Sequence, residues 1–259
     1  MVSSHMAARS ARERVTLSLM PTPEAETAST LNARVLARLR SDIVTARLMP
    51  NERLRMEALR QRYEVGGSPI REALMRLEAE GLVTLEHNKG FRVSAVSKES
   101  LGDLTRCRVE IEGLAVRWSI ERGRVEWEAD LIGAFHRLSR ESKVDPRNRR
   151  AISDAWSKQH RAFHLALAAA CGSPALLAIR NGLFGQVERY VALSIMSKAP
   201  PRDDVSEHEQ IMRAALARDV DRALKLNRQH IERTAEKVAS ALNALPAKGP
   251  KLANGRAGR

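Results

Sequence analysis

The segment VGGSPIREALMRLEAEGLV, residues 65–83, carries the strongest structural signal in this 259-residue chain. Ser68 is a favourable N-cap, and Pro69 fits the first helical position, where its missing N–H has no cost. Gly81 provides a C-terminal stop. The apolar residues between them recur at the spacing of one buried helix face. They are Ile70, Ala73, Leu74 and Leu77.

Two helices are predicted before this segment and a β-hairpin after it. Apolar residues recur about every four positions from Leu31 to Ile43, until a turn at Pro50-Asn51, where Asn51 can adopt a left-handed backbone. A short helix is expected over Met56–Tyr63. The strand-like runs LVTLE and FRVSAV follow residue 81 and are joined by a polar, basic connection. Three short helices and a hairpin predict a winged helix-turn-helix.

The outer face of the third helix and the hairpin tip carry residue types that bind DNA. A helix N-terminus attracts phosphate through its free N–H groups and its dipole, and Arg71 in the first turn can reach a phosphate or a guanine edge. The hairpin tip can enter or straddle a minor groove. Protein interaction is the alternative, but it gives no reason for a polar, basic tip. The candidate DNA-binding residues are Ser68, Arg71, Arg76, His87, Asn88 and Lys89.

The composition indicates a helical protein with a polyanionic partner. Hydrophobic residues make up 43% of the chain but aromatic residues only 3%, which favours packed helices over a β-sandwich. The net charge of +13 suggests a polyanionic partner, although charge alone does not say which one. No apolar run is long enough to predict a membrane span. Cys107 and Cys171 lack metal-ligand spacing, so we interpret them as reduced, in a cytoplasmic protein.

A second, all-helical domain is predicted over residues 98–243. Ser97 can cap its first helix, Lys98–Arg122. Six helices in about 145 residues make one antiparallel bundle, so the expected fold is mainly α. The five later helices are expected at about 124–142, 148–170, 174–197, 204–217 and 219–243. The predicted organisation is a disordered tail over 1–29, the winged helix over 30–97, the bundle over 98–243 and a basic disordered tail over 244–259.

Residues 39–93, from LRSDIV to KGFRV, resemble the DNA-binding domain of the GntR family of bacterial repressors. The bundle that follows is similar to the FCD ligand-binding domain of the FadR subfamily, and its length resembles the shorter, VanR-like branch. This resemblance implies a homodimer that binds a palindromic operator, with an effector pocket inside the bundle. Three positions depart from the family pattern. Asn51 replaces a usual glycine, and Glu57 and Gly67 replace frequent arginines, whereas Arg71 is retained.

The resemblance also implies a divalent metal site. Members of this branch often bind the ion through an Asp and a His four residues apart on one helix, and through one His from each of two later helices. The matching positions here are His160, His164, His208 and His230, with His160 in the place of the aspartate. Four imidazoles without a carboxylate favour zinc or nickel over manganese. Ordinary polar histidines in a helical bundle are the alternative interpretation.

The predicted effector is a small carboxylate. An ion with four neutral ligands keeps its positive charge and favours an anion at an open coordination position. Arg108 and Arg189 are candidates to bind the carboxylate through bidentate hydrogen bonds. An exposed or ion-paired arginine is an equal alternative for each.

The expected function is a DNA-binding transcriptional regulator, in the first place a repressor, and not an enzyme. The effector would change how the dimer spaces its two wings, through different affinities for two arrangements. A metal-dependent hydrolase that activates water at the histidines is the alternative. Against it, Glu207 and Glu209 flank His208 but are expected to point elsewhere, so no general base is apparent.

Overall fold

A computed structural model of the protein describes residues 23–195 and 204–244. Within these ranges the chain is mainly helical and folds as a winged helix-turn-helix followed by a helical bundle, as predicted. Expectations for residues 1–22, 196–203 and 245–259 lie outside the described residues. The helices are α1 Pro23–Val44, α2 Met56–Tyr63, α3 Gly67–Ala79, α4 Lys98–Arg122, α5 Val125–Ser139, α6 Asp154–Ala168, α7 Pro174–Ile195, α8 Asp204–Leu216 and α9 Val220–Ala244.

A three-stranded antiparallel sheet completes the winged helix. The two predicted strands, β2 (Val83–Glu86) and β3 (Gly90–Val93), form a hairpin that we call the wing. A third strand, β1 (Arg53–Leu54), pairs with β3 and gives the order β1-β3-β2. Two residues are too short to show the alternation by which a strand is recognised, so β1 was not predicted. The core of this domain includes the four apolar residues predicted on α3, all of them buried.

Two helices of this domain begin earlier than expected. Helix α1 begins at Pro23 instead of Leu31, because proline fits a first turn and Glu24 and Glu26 favour a helix N-terminus. Helix α3 begins at Gly67 with Gly66 as its N-cap, so the prediction that Ser68 is the cap was wrong. Proline fits its third position equally well, because the first four N–H groups of a helix have no partner within it.

The predicted turn residues and the predicted cap of α4 are confirmed. Gly81 and Asn51 have φ angles of 71° and 66°, in the left-handed region. A side chain at Gly81 would also meet Gln186, whose side-chain atoms lie 3.1 Å from the Cβ position. The hydroxyl of Ser97 accepts a hydrogen bond from the backbone N–H of Ser100.

Helices α4–α9 form the bundle, and their number agrees with the prediction. The expected helix over 148–170 begins only at Asp154. Before it, β4 (Val144–Asp145) and β5 (Asn148–Ile152) form a short hairpin. The Asp145 carboxylate accepts a hydrogen bond from the backbone N–H of Arg147 at 2.8 Å, which favours a turn over a helix. No helix among the described residues has the length and apolar character to cross a membrane.

Helices α1 and α7 pack against each other across the boundary between the two domains. Nη1 of Arg189 on α7 donates to the carbonyl oxygen of Ser94, just after the wing, at 3.0 Å. The Arg47 guanidinium, after α1, pairs with the carboxylate of Asp154, the first residue of α6, at 2.6 Å. Both helices of the bundle that make these contacts also carry residues of the site described next.

Candidate metal centre and DNA-binding surface

Three helices bring the four predicted histidines together in the bundle. His160 and His164 lie one turn apart on α6, His208 lies on α8, and His230 lies on α9. Nε2 of His164 is 3.2 Å from Nε2 of His160 and also 3.2 Å from Nε2 of His208. One nitrogen from each of the four rings lies within 4.8 Å of all the others. We call these four residues the histidine cluster.

The donor set of the histidine cluster fits a divalent ion. Two nitrogens bound to tetrahedral zinc at ~2.0–2.1 Å are about 3.3 Å apart, close to the 3.2 Å that separates Nε2 of His164 from Nε2 of His160 and of His208. Burial lowers the pKa of His160, His164 and His208 well below the usual value, and the other imidazoles and nearby cations lower it further. The three rings are therefore neutral at pH 7, which is the form that binds metal.

Residues of α8 hold the outer nitrogens of two of these rings. Nδ1 of His208 donates to the carbonyl oxygen of Asp204, and Nδ1 of His230 donates to the Glu207 carboxylate at 2.9 Å. Both bonds place the proton on Nδ1 and leave Nε2 as the lone-pair nitrogen. The expectation that Glu207 points away from the histidines was wrong. It considered only His208 on the same helix, whereas Glu207 contacts His230 on α9.

His160 is held by stacking. Its ring lies against the indole of Trp156, with centroids 4.4 Å apart and planes at 15°. The ammonium group of Lys143 lies 4.7 Å from the centroid of the same indole and forms an ion pair with Asp204. His160 is partly accessible, whereas the other three histidines are buried. His160 is therefore the most accessible of the four ligand candidates.

A small cavity borders the histidine cluster. Its volume is about 30 Å³, room for roughly one or two water molecules. Its wall combines cationic, aromatic, imidazole, carboxylate and aliphatic groups. These include Arg108, Lys143, Trp156, His160, Phe184 and His230.

Arg108 lies at this cavity, as expected for an effector ligand, but it is already engaged in part. Its Nε and Nη2 donate to one oxygen of Glu112 at 2.9 and 2.8 Å. Burial alone would raise the pKa of Glu112, but Arg108 and Arg180 lower it overall, so the carboxylate is ionised. Nη1 of Arg108 makes no hydrogen bond to the described residues. Arg189 does not line the cavity; it bonds to Ser94 at the domain boundary, and we assign it no effector contact.

Sequence reasoning did not find the aromatic residue that separates the cationic groups. The Phe184 ring lies 5.1 Å from the guanidinium of Arg108, 5.4 Å from that of Arg161 and 4.7 Å from that of Arg180. Its centroid is also 5.2 Å from that of His164. These groups come from α4, α6 and α7, so no local spacing in the sequence indicates that they meet.

The six predicted DNA-binding residues lie on the exposed faces of α3 and of the wing tip. Arg76 pairs with Glu72 one turn earlier at 2.7 Å. The carbonyl oxygen of Lys89 accepts two hydrogen bonds from Arg53, at 3.1 and 3.0 Å, which fixes the tip of the wing against β1. The N-cap of α3 is Gly66, which has no side chain to bond to the first N–H groups of the helix. The exposed residues are Ser68, Arg71, Arg76, His87, Asn88 and Lys89.

Two departures from the GntR pattern lie in the same part of the domain. Glu57, on α2, is largely exposed and pairs with Arg60 at 3.3 Å. Gly67 is the first residue of α3, where an arginine would have added a cation beside Arg71. This surface therefore keeps fewer positive charges than the family pattern provides.

Comparisons with known proteins match both domains. The model for bacterial regulatory proteins of the gntR family matches residues 31–93, and the FCD domain model matches residues 103–233. The HTH-type transcriptional repressor GlaR of Escherichia coli K12 is 39% identical over 197 residues, covering 74% of this chain and 89% of GlaR. The HTH-type transcriptional regulator BphR of Paraburkholderia xenovorans LB400 is 39% identical over 212 residues, covering 82% of this chain and 86% of BphR.

A solved structure shows the same fold. The E. coli protein McbR/YncC aligns with a TM-score of 0.69 at 20% identity, covering 82% of this chain and 99% of its own. At this identity the likeness concerns the fold alone. The matched families and relatives are transcriptional regulators, not enzymes, and nothing supports the hydrolase alternative.

Proposed function

The chain belongs to the GntR family of DNA-binding transcriptional regulators and carries an FCD domain, and from this premise we propose that a small organic acid controls its operator binding through a metal ion. The histidine cluster carries the proposal, because four imidazoles from three helices place one nitrogen each within 4.8 Å of the others, and two of the pairs are 3.2 Å apart. We place the chain in the FadR subfamily as a cytoplasmic homodimeric repressor of a palindromic operator.

For DNA binding, we propose that α3 enters the major groove and the wing follows the adjacent backbone. Arg71 lies in the first turn of α3, where its guanidinium reaches a guanine edge or a phosphate. Lys89 and Asn88 at the wing tip contact phosphate or the minor groove. Ser68, Arg76 and His87 complete the proposed contact surface.

For the metal, His164, His208 and His230 form the buried part of the proposed site and His160 the accessible part. Four imidazole ligands favour zinc or nickel. When bound, the ion supplies a Lewis-acidic position for an oxygen anion. The protein contributes the geometry, because hydrogen bonds and stacking fix three of the four rings.

For the effector, the cavity suggests how binding changes the protein. A volume of about 30 Å³ is too small for an organic acid, whose entry must displace part of the wall. Arg108 faces this space with Nη1 available for a carboxylate. Because α6 and α7 form walls of the cavity and also contact the DNA-binding domain, we propose that their displacement changes the orientation of the wing.

The experiment begins with DNA fragments that purified protein retains from a genomic library. Metal content is measured on the same preparation after reconstitution with zinc or nickel. Fluorescence anisotropy with a retained fragment then follows DNA affinity as small carboxylic acids are added, with metal-loaded and metal-free protein. The proposal requires an acid that changes DNA affinity only with metal-loaded protein. A protein that retains no metal, or that responds equally with and without it, contradicts the proposal.

A further inference from the structure

Glu207 makes a contact that the metal ligands alone do not explain. It lies one residue before His208 on α8, yet its carboxylate turns toward α9 and accepts the Nδ1 proton of His230 at 2.9 Å. Both side chains are largely withdrawn from solvent, with 7% of His230 and 16% of Glu207 exposed. This hydrogen bond therefore joins α8 to α9 on the side of the His230 ring that faces away from the other three imidazoles.

The second carboxylate oxygen has a partner of its own. Nη1 of Arg233, one turn after His230 on α9, lies 3.4 Å from Oε1 of Glu207. Arg233 is more than half exposed, so its attraction is weakened by solvent, but it favours the ionised carboxylate. Glu207 thus lies between one imidazole and one guanidinium, with each oxygen facing one of them.

A carboxylate in this position does three things for an imidazole ligand. It selects the tautomer with the proton on Nδ1, it fixes the rotation of the ring, and it makes Nε2 more basic. The corresponding partner of His208 is the neutral carbonyl of Asp204, which can select a tautomer but supplies no full charge. Glu207 therefore compensates in part for the absence of a carboxylate among the four candidate ligands.

We infer that Glu207 is a positioning residue of the histidine cluster, which holds the His230 ring with Nε2 directed at the other three imidazoles. This inference rests on the proposed metal site but concerns a residue outside the ligand set. It predicts that zinc affinity depends on Glu207 and not on Glu209, two residues further along the helix. Glu209 is more exposed and pairs with Arg213 at 2.6 Å, which makes it a matched control.

The test compares zinc affinity in wild type, Glu207→Gln, Glu207→Ala and Glu209→Gln by competition with a chromophoric chelator. Outer carboxylates of metal-bound histidines typically contribute about 10- to 100-fold in affinity. We expect a loss in this range for Glu207→Ala, a smaller loss for Glu207→Gln, which keeps an acceptor oxygen without the charge, and no change for Glu209→Gln. Equal affinities of all four proteins, within about threefold, would overturn the inference while leaving the metal site intact.

A second measurement separates positioning from a general effect on folding. Proton–nitrogen correlation spectra of the metal-free proteins report which nitrogen of His230 carries the proton. Wild type should show Nδ1–H, and Glu207→Ala should show a mixture of tautomers or Nε2–H. If wild type binds no zinc, the proposed function fails, but the tautomer still tests the role of Glu207. An unchanged tautomer in Glu207→Ala overturns that role. If the alanine variant does not fold, the zinc affinity of the near-isosteric Glu207→Gln decides, and an affinity equal to that of wild type overturns the role.

Discussion

Arg189 and Ser94 connect the helical bundle to the wing through a single hydrogen bond, from Nη1 to the carbonyl oxygen at 3.0 Å. Arg189 also donates from Nε to the carbonyl oxygen of Gln186 on its own helix, so its guanidinium spans both domains. About one and a half turns earlier on α7 lies Phe184, in the wall of the cavity. The same helix therefore contacts the proposed effector region and the backbone that follows the wing.

Replacing Arg189 by methionine should destabilise the protein without removing its metal. The variant keeps much of the apolar stem but leaves the Ser94 carbonyl without its donor, at a cost of about 1–3 kcal/mol. Urea unfolding measures this loss, and Arg213→Met, at an exposed position of α8, is the control. Metal content should equal that of wild type. A variant as stable as the control would show that this bond does not hold the domains together.

Arg71→Ala should weaken operator binding by roughly 10- to 100-fold, as expected when a base or phosphate contact of the recognition helix is lost. Dimerisation and metal content should not change, because Arg71 is exposed on α3, in the DNA-binding domain. Anisotropy at physiological salt measures the affinity, and Arg106→Ala, an exposed arginine on α4, is the control. Wild-type affinity in Arg71→Ala would refute the proposed docking of α3.

Lys89→Ala should weaken binding to all DNA sequences alike. Loss of one phosphate contact reduces the slope of log affinity against log salt by about one unit. The slope is measured between low and physiological salt with operator and unrelated duplexes, and Lys158→Ala on α6 serves as the control. A loss confined to the operator would instead make Lys89 a reader of base sequence.

Alanine at His164, His208 or His230 should each remove most of the bound metal. Such a variant also loses the stabilisation that the ion gives the folded state, which is ~2.7 kcal/mol when free metal exceeds the dissociation constant 100-fold. Elemental analysis and melting curves with and without zinc measure both effects. His136→Ala, at an exposed position of α5, is the control. Unchanged metal content in all three variants would reduce the cluster to ordinary core histidines.

His160 has a prediction of its own, because the resemblance to the FCD domain implies an aspartate at its position. His160→Ala should weaken metal binding, and His160→Asp should restore it and shift selectivity toward manganese, because carboxylates favour harder ions. Competition between zinc and manganese measures the shift. If His160→Asp has the metal preference of wild type, His160 is not a ligand.

The metal-free protein should lose stability as the pH falls below about 6.5, the usual imidazole value. Burial lowers the pKa of His160, His164 and His208 in the folded state, so the unfolded chain binds protons first. These imidazoles therefore cost no stability above about pH 6.5. Below that pH, each of them lowers the free energy of unfolding by at most ~1.4 kcal/mol per pH unit. Urea unfolding from pH 7.5 to 5.5 measures this, and His164→Ala should show a shallower dependence.

Local patterns predicted the winged helix well because its signals lie close together in the chain. The buried apolar face of α3 and the glycine at residue 81 each depend on residues that are close together in the chain, and the structure confirms both. The start of α3 was predicted two residues too late because proline fits several first-turn positions. The hairpin before α6 was missed because β4 has only two residues and β5 contains adjacent arginines, so neither shows a clear alternation.

Distant contacts explain what could not be predicted at the site. His160 and His164 share a helix face, so their spacing indicated a pair, but their distance from His208 and His230 depends on how α6, α8 and α9 pack. The roles of Glu207 and Trp156 depend on that packing as well. A carboxylate 23 positions before a histidine has no sequence signature, and Arg189 could be placed at the domain boundary only once α7 was known to contact both domains.

The order of the proposed ligands along the chain has a consequence for synthesis. His160 and His164 leave the ribosome well before His208, and His230 is last, on the final described helix. A growing chain that has reached α7 contains only two of the four proposed ligands, both on one helix, and two imidazoles bind an ion weakly. The full set exists only after α9 has docked. Metal capture would then require the chain as far as His230, so a chain truncated before α9 could not present the full ligand set.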